Sequence, residues 1–153
     1  MSIRTAAAGS RRAHSIPTHS GLRRHRRDVA RWALAHGHPV ARDALATIVG
    51  ARAVMSAGTV SLRWTAEEVG VLLWSGLTNW CVSRGVRAPG DVVPTLTTYL
   101  RYLSGHRLLE RDSDSMAVLR RAVADFGQQP DKASRSRHPA AGRRALAPVL
   151  PLY

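Results

Sequence analysis

Between Gly21 and Phe126 apolar residues recur at intervals of three and four, and no stretch shows the strict alternation of a half-buried strand. This pattern predicts five helices. The first runs from about Leu22 to His36, with Leu22, Val29, Trp32 and Ala33 on one face and Arg23, Arg27 and Arg31 on another; Gly37 stops it and Pro39 blocks its continuation. The second starts with Pro39 in the first turn and carries the stripe Val40, Ala44, Ile48, Ala51 and Met55. The third has the clearest start in the chain. Thr65 and Glu68 fit a capping box, Trp64 and Val69 a hydrophobic staple, and Gly85 ends the run after Arg84. Val69, Val71, Leu72, Leu73, Trp74, Leu77, Trp80, Cys81 and Val82 place apolar groups almost all the way round, so this helix is expected to be central and largely buried. Gly70 and Gly76 within it suggest close approach by a neighbour.

The fourth helix is expected after Asp91 as N-cap, with Pro94 tolerated in its first turn. Val92, Leu96, Tyr99, Leu100 and Leu103 form its buried sector, Thr95, Thr98 and Arg101 lie outside it, and Gly105 ends it. Leu108 and Leu109 read as an apolar connector. Asp112, Ser113 and Asp114 read as the cap cluster of a fifth helix that buries Met116, Leu119, Val123 and Phe126. The expected fold is therefore all-α: one compact bundle of about five helices over residues 21–127. Residues 1–20 and 128–153 carry Ala, Ser, Arg, Gly, Gln and Pro without apolar periodicity and read as disordered basic tails.

Charge changes the picture because it is unevenly spread. The formal net charge is +13, yet residues 1–32 hold eight arginines and one acid, and residues 133–153 four arginines and no acid. The hundred residues between them carry only +2. A preference for Arg over Lys follows from high-G+C codon usage; the excess of basic over acidic residues does not. Arg23, Arg27 and Arg31 repeat every four residues, a rise of about 6 Å, close to the spacing of phosphates along a strand. Arg24 and Arg26 thicken this patch, and Arg11 and Arg12 precede it. Arg11, Arg12, Arg23, Arg24, Arg27 and Arg31 are thus the candidate contacts to a DNA or RNA backbone, with Arg135, Arg137, Arg143 and Arg144 as further mobile ones. A solvated arginine face is the plain alternative; an anionic membrane surface or an acidic protein is another partner for the same charges. Only Trp32 is interleaved with these arginines, and it points to the core, which argues against a single-strand stacking platform.

Catalytic chemistry has little to draw on. The chain holds three glutamates and seven aspartates, most of them at predicted helix starts. Asp112 opens no calcium loop, because Ala117 and Val123 stand where Gly and a carboxylate are needed. Cys81, the single cysteine, lies in the most apolar helix beside Trp80 and reads as an inert buried thiol. His36 and His38 offer two metal ligands without an obvious third, and His25 and His36 border the first helix's apolar face. No phosphate-binding loop, nucleophile elbow or zinc-protease signature is present. The expectation is a protein that is not an enzyme and needs no cofactor. No apolar run approaches a membrane span, and no apolar export segment follows Arg12, so a cytoplasmic location is expected. A homodimer or partner-binding helical module, formed through surplus apolar surface at Trp74 and Val82, is the alternative function.

Two resemblances add to this. Residues 29–127 resemble a small family of uncharacterised proteins encoded in high-G+C bacterial genomes, through Arg63-Trp64-Thr65, Leu72-Leu73-Trp74, Asn79-Trp80-Cys81, Tyr99-Leu100-Arg101-Tyr102-Leu103, and Ser113-Asp114 followed by Leu119. That resemblance implies a helical unit and no particular activity. Residues 92–111, ending in Leu103-Ser-Gly-His-Arg-Leu-Leu-Glu-Arg111, resemble the recognition helix and first wing strand of winged-helix transcriptional regulators. It implies that Thr95, Thr98 and Arg101 face a DNA major groove. Such regulators place Gly where this chain has Arg107, because the turn takes positive φ; no returning wing strand follows Arg111.

Overall fold

The computed structural model describes residues 15–16 and 19–128. They form an all-α bundle of five helices: α1 (His19–Ala35), α2 (Arg42–Met55), α3 (66–84), α4 (Val92–Gly105) and α5 (Met116–Gly127). A two-residue antiparallel pairing, β1 (Ser15–Ile16) on β2 (Val60–Ser61), is a feature the helical periodicity does not predict. The core is shared by α2, α3 and α4, with Ile48, Leu72, Leu96, Leu100 and Leu103 fully enclosed. α5 packs on α3 and α4, and α1 on α2 and α4. The expected tails otherwise lie outside the described residues: of the first, Ser15–Ile16 pair as β1 and α1 begins at His19 rather than Leu22, and of the second, Gln128 caps α5.

α3 is one continuous helix with a wide turn in it. Ala66–Val71 and Leu77–Arg84 are α-helical, and Leu72–Gly76 between them is π-helical. Val69, Leu73, Leu77 and Cys81 are all buried at four-residue steps. Such steps drift by about 40° each on an α-helix, and the extra residue of an i→i+5 turn takes back much of that drift. The helix is not buried all round, as its apolar content suggested: Val71, Trp74 and Val82 are exposed. The glycines also divide. A Cβ on Gly70 would meet nothing within 4 Å, whereas one on Gly76 would lie 2.8 Å from the Met55 sulfur. The closest approach is at a glycine with no sequence signal, Gly50, where the Trp80 ring lies 2.6–2.8 Å from the place a Cβ would take.

Long-range hydrogen bonds move several expected boundaries. α2 starts at Arg42, because Pro39 and Ala41 are tied in extended form to α4: Thr98 donates to the Pro39 carbonyl (2.7 Å) and Ala41 N–H donates to Thr95 Oγ1 (3.1 Å). Thr95 and Thr98 are therefore buried, not turned towards a groove, and only Arg101 of the three is exposed. The cluster expected to cap α5 instead holds the start of α3. Ser113 Oγ accepts from Trp64 N–H (3.1 Å) and Asp114 Oδ2 from Ala66 N–H (2.7 Å), while Ser115 is the N-cap of α5. The Thr65–Glu68 capping box is present in full.

α4 ends at Gly105 as expected, but the residue that closes it in left-handed conformation is Arg107. Leu108 N–H bonds the Leu103 carbonyl and Arg107 N–H the Ser104 carbonyl, a Schellman closure with Arg107 at φ 55°, where Gly85 and Gly37 take the same place after α3 and α1. A side chain in the left-handed region is strained. Arg107→Gly is expected to raise stability by about 0.5–1 kcal/mol, read as a higher midpoint in thermal unfolding.

Candidate nucleic-acid interface

On α1 the sequence puts basic and apolar residues on opposite sides, and the bundle uses that division. His25, Val29 and Ala33 are buried against α2 and α4. Arg23, Arg24, Arg27 and Arg31 are exposed and fall within an arc of about 100° facing away from that contact. Arg31 lies 4.0 Å from Asp28, a solvent-exposed pair of small energetic weight. Among the described residues no carboxylate pairs with Arg23, Arg24 or Arg27. Arg26, expected to thicken the same patch, turns instead into a groove beside α2 and is half-buried. Arg11, Arg12 and the four C-terminal arginines lie outside the described residues. Arg101 joins Arg120 and Arg121 around a separate hollow between α4 and α5.

This surface is held in place by aromatic and imidazole contacts. His25, expected at the border of the apolar face, is enclosed: its Nε2 shares a 2.9 Å hydrogen bond with the Tyr99 hydroxyl, and its ring meets Tyr99 and Tyr102 edge-on. Desolvation pulls the imidazole down to about 4, against a smaller opposing pull from Asp28, and burial pushes the Tyr99 phenol up. At the other end of α1, Trp32 stacks on His36 (4.7 Å between centroids) and meets His38, Tyr102 and His106. The His36–Gly37–His38 pair thus works as packing for Trp32. His106 joins it only because α4 returns beneath α1, which spacing along the chain does not reveal. Among the described residues no group of three or more His, Cys, Asp or Glu is placed to hold a metal ion.

Sequence reasoning also missed the one arginine that is buried among the described residues. Arg52 of α2 is 2% exposed. Its guanidinium donates to the Arg63 carbonyl, lies 3.2 Å from Glu68 Oε1 and sits over the Trp64 ring at 4.6 Å. Glu68 also receives Arg63 at 3.0 Å and the Thr65 N–H at 3.0 Å. The signal was available: Arg52 follows Ile48 by four residues and so falls on the apolar stripe of α2. A cleft of about 580 Å³ opens beside this centre, with Glu67, Glu68 and Asp114 offsetting Arg52 and Arg63.

The other candidates remain quiet. Cys81 is buried, and desolvation pushes its thiol up, away from a reactive thiolate. Trp64 is fully enclosed, Trp32 and Trp80 are partly so, and Trp74 is 50% exposed with its ring edge-on to Phe126 of α5. No described helix is long and apolar enough to cross a membrane. No family model, curated protein or solved structure matches the chain.

The buried imidazole makes the attachment of α1 sensitive to acid. The unfolded chain takes up a proton at His25 near pH 6.5 and the folded chain only near 4, so this contribution is complete above pH 6.5 and is lost as pH falls towards 4. The loss amounts to roughly 3 kcal/mol. Denaturant titrations across that window are expected to show stability rising with pH by about one proton per molecule, and His25→Leu to flatten the slope.

Proposed function

We propose that this protein is a non-enzymatic accessory factor that attaches to the phosphate backbone of nucleic acid through the exposed arginine arc of α1. One observation carries the reading: Arg23, Arg24 and Arg27 stand exposed on a helix fixed by its opposite face, and no described carboxylate neutralises them. Guanidinium groups at about 6 Å spacing on a rigid helix suit successive phosphates and carry no base information, so the binding is sequence-independent and dependent on salt. The composition of residues 1–18 and 133–153 adds cations of the same kind. The winged-helix alternative keeps only Arg101 as a groove-facing residue, since Thr95 and Thr98 are engaged inside the protein.

The test is fluorescence anisotropy with a labelled DNA duplex over a salt series. Replacing Arg23, Arg27 and Arg31 together by Gln is expected to lower the slope of log affinity against log salt by about three and to weaken binding to all sequences alike. A chain lacking residues 1–18 separates the contribution of the N-terminal segment. Unchanged affinity of the triple variant at every salt concentration overturns the reading.

A protein-interaction role has its own support in Trp74, a large apolar ring 50% exposed where α3 meets Phe126 of α5. Val71 and Val82 of the same helix, and Val118 of α5, are exposed as well. If a second copy covers them, light scattering of the full chain at rising concentration gives a dimer mass, and Trp74→Ser returns it to the monomer. A monomer throughout removes this reading.

A further inference from the structure

A groove of about 380 Å³ runs along α2, walled by the start of α1 and the end of α3. Its floor is apolar: Val49, Ala53 and Val54 follow one another along α2, and the Trp80 ring closes the far side. Val54 is 68% exposed, an unusual position for a valine on a packed helix. Trp80 can lie this low because Gly50 has no Cβ; its ring occupies that space. The rim is cationic. Arg23 and Arg26 stand on the α1 wall, Arg84 lies over the Trp80 ring at 5.3 Å from its centroid, and among the described residues no carboxylate lines the groove.

Shape and charge together restrict the occupant. The apolar floor is a straight stripe from residue 46 to residue 54, about 12 Å or two helical turns, which matches the i, i+3/i+4, i+7 anchors of an amphipathic helix. A rim of three guanidiniums selects against basic segments. The flanking parts of this chain, 1–18 and 133–153, hold arginines and no acid, so they are poor occupants of their own groove. We infer that the groove between α1, α2 and α3 docks an acidic amphipathic helix of a partner protein, with apolar anchors on Val54 and Trp80 and carboxylates on Arg23, Arg26 and Arg84. Arg23 belongs to both surfaces, so an occupied groove withdraws one cation from the polyanion-binding arc. The groove itself does not depend on nucleic acid being the ligand of that arc.

The probe is a labelled 16-residue synthetic helix with Leu at i, i+4, i+7 and i+11 and Glu on both flanks. Anisotropy titration with the full-length protein is expected to give saturable binding. Val54→Asp, on an exposed position, is expected to weaken it at least tenfold without shifting the thermal midpoint, and Arg26→Glu with Arg84→Glu to do the same. A peptide carrying Lys in place of Glu should bind at least tenfold more weakly than the acidic one. Equal binding of the Lys peptide, or indifference to Val54→Asp, overturns the inference. Binding of phosphatidylglycerol vesicles but not the peptide, lost on Val54→Asp, also overturns it and reassigns the groove to lipid. Duplex affinity of Val54→Asp stays at the parent value, since its arginines remain, so a failure here is separable from failure of the nucleic-acid reading.

Discussion

The ion pair between Arg52 and Glu68 is the constraint around which the bundle is organised. A guanidinium 2% exposed is tolerated only with a carboxylate and hydrogen-bond acceptors in reach, and removing one partner of such a pair costs about 3–5 kcal/mol. Glu68 meets that need while also closing the capping box of α3 and holding Arg63, so one carboxylate sets the start of α3 and the depth of α2. The guanidinium lies on Trp64, Trp64 meets Tyr99 edge-on, and Tyr99 bonds His25. A continuous run of polar and aromatic contacts thus links the α2–α3 junction to α1. Neither Arg52 Nε nor Trp64 Nε1 has a hydrogen-bond partner among the described residues; the stacking of cation on indole adds attraction between the two groups but satisfies neither donor.

Because that run ends on the inner face of α1, the outer face is free of structural duty. The arginines there neither pack nor, apart from Arg31, pair with a described carboxylate; Arg26 and Arg84 at the α2 groove also lack a described carboxylate, although Arg84 lies over the Trp80 ring. Guanidinium groups left without partners at a surface repel one another and are stabilised by whatever anion arrives. The two proposed surfaces share this electrostatic logic and differ in what lies beneath the charge: polar helix in one, valine and tryptophan in the other.

Helix number and type were legible because each helix has a continuous apolar stripe, and the α3 start because its signal is local, with Thr65 and Glu68 three residues apart. Features fixed by distant partners were not. Thr95 and Thr98 look like surface residues until Pro39 and Ala41 are brought beside them, and Asp114 looks like a cap for the helix it precedes until Ala66 arrives 48 residues away. His25 sits in an arginine run whose polarity masks its burial. Of the candidate site, the row Arg23, Arg27 and Arg31 was legible from period alone, while the turning of Arg26 into the groove depends on where α2 passes.

The wide turn at Leu72–Gly76 stores one residue more than an α-helical turn needs, and this is what lets both halves of α3 face the core. Wound as a regular α-helix with the same residues, the segment would carry Cys81 about 120° round from Val69 and lift Trp80 off its seat on Gly50. Loss of one residue within the turn would instead close it to ordinary helix, with the buried positions at i, i+4, i+7 and i+11 and the sidedness kept. The surplus residue is thus a reserve of length that the rest of α3 does not have.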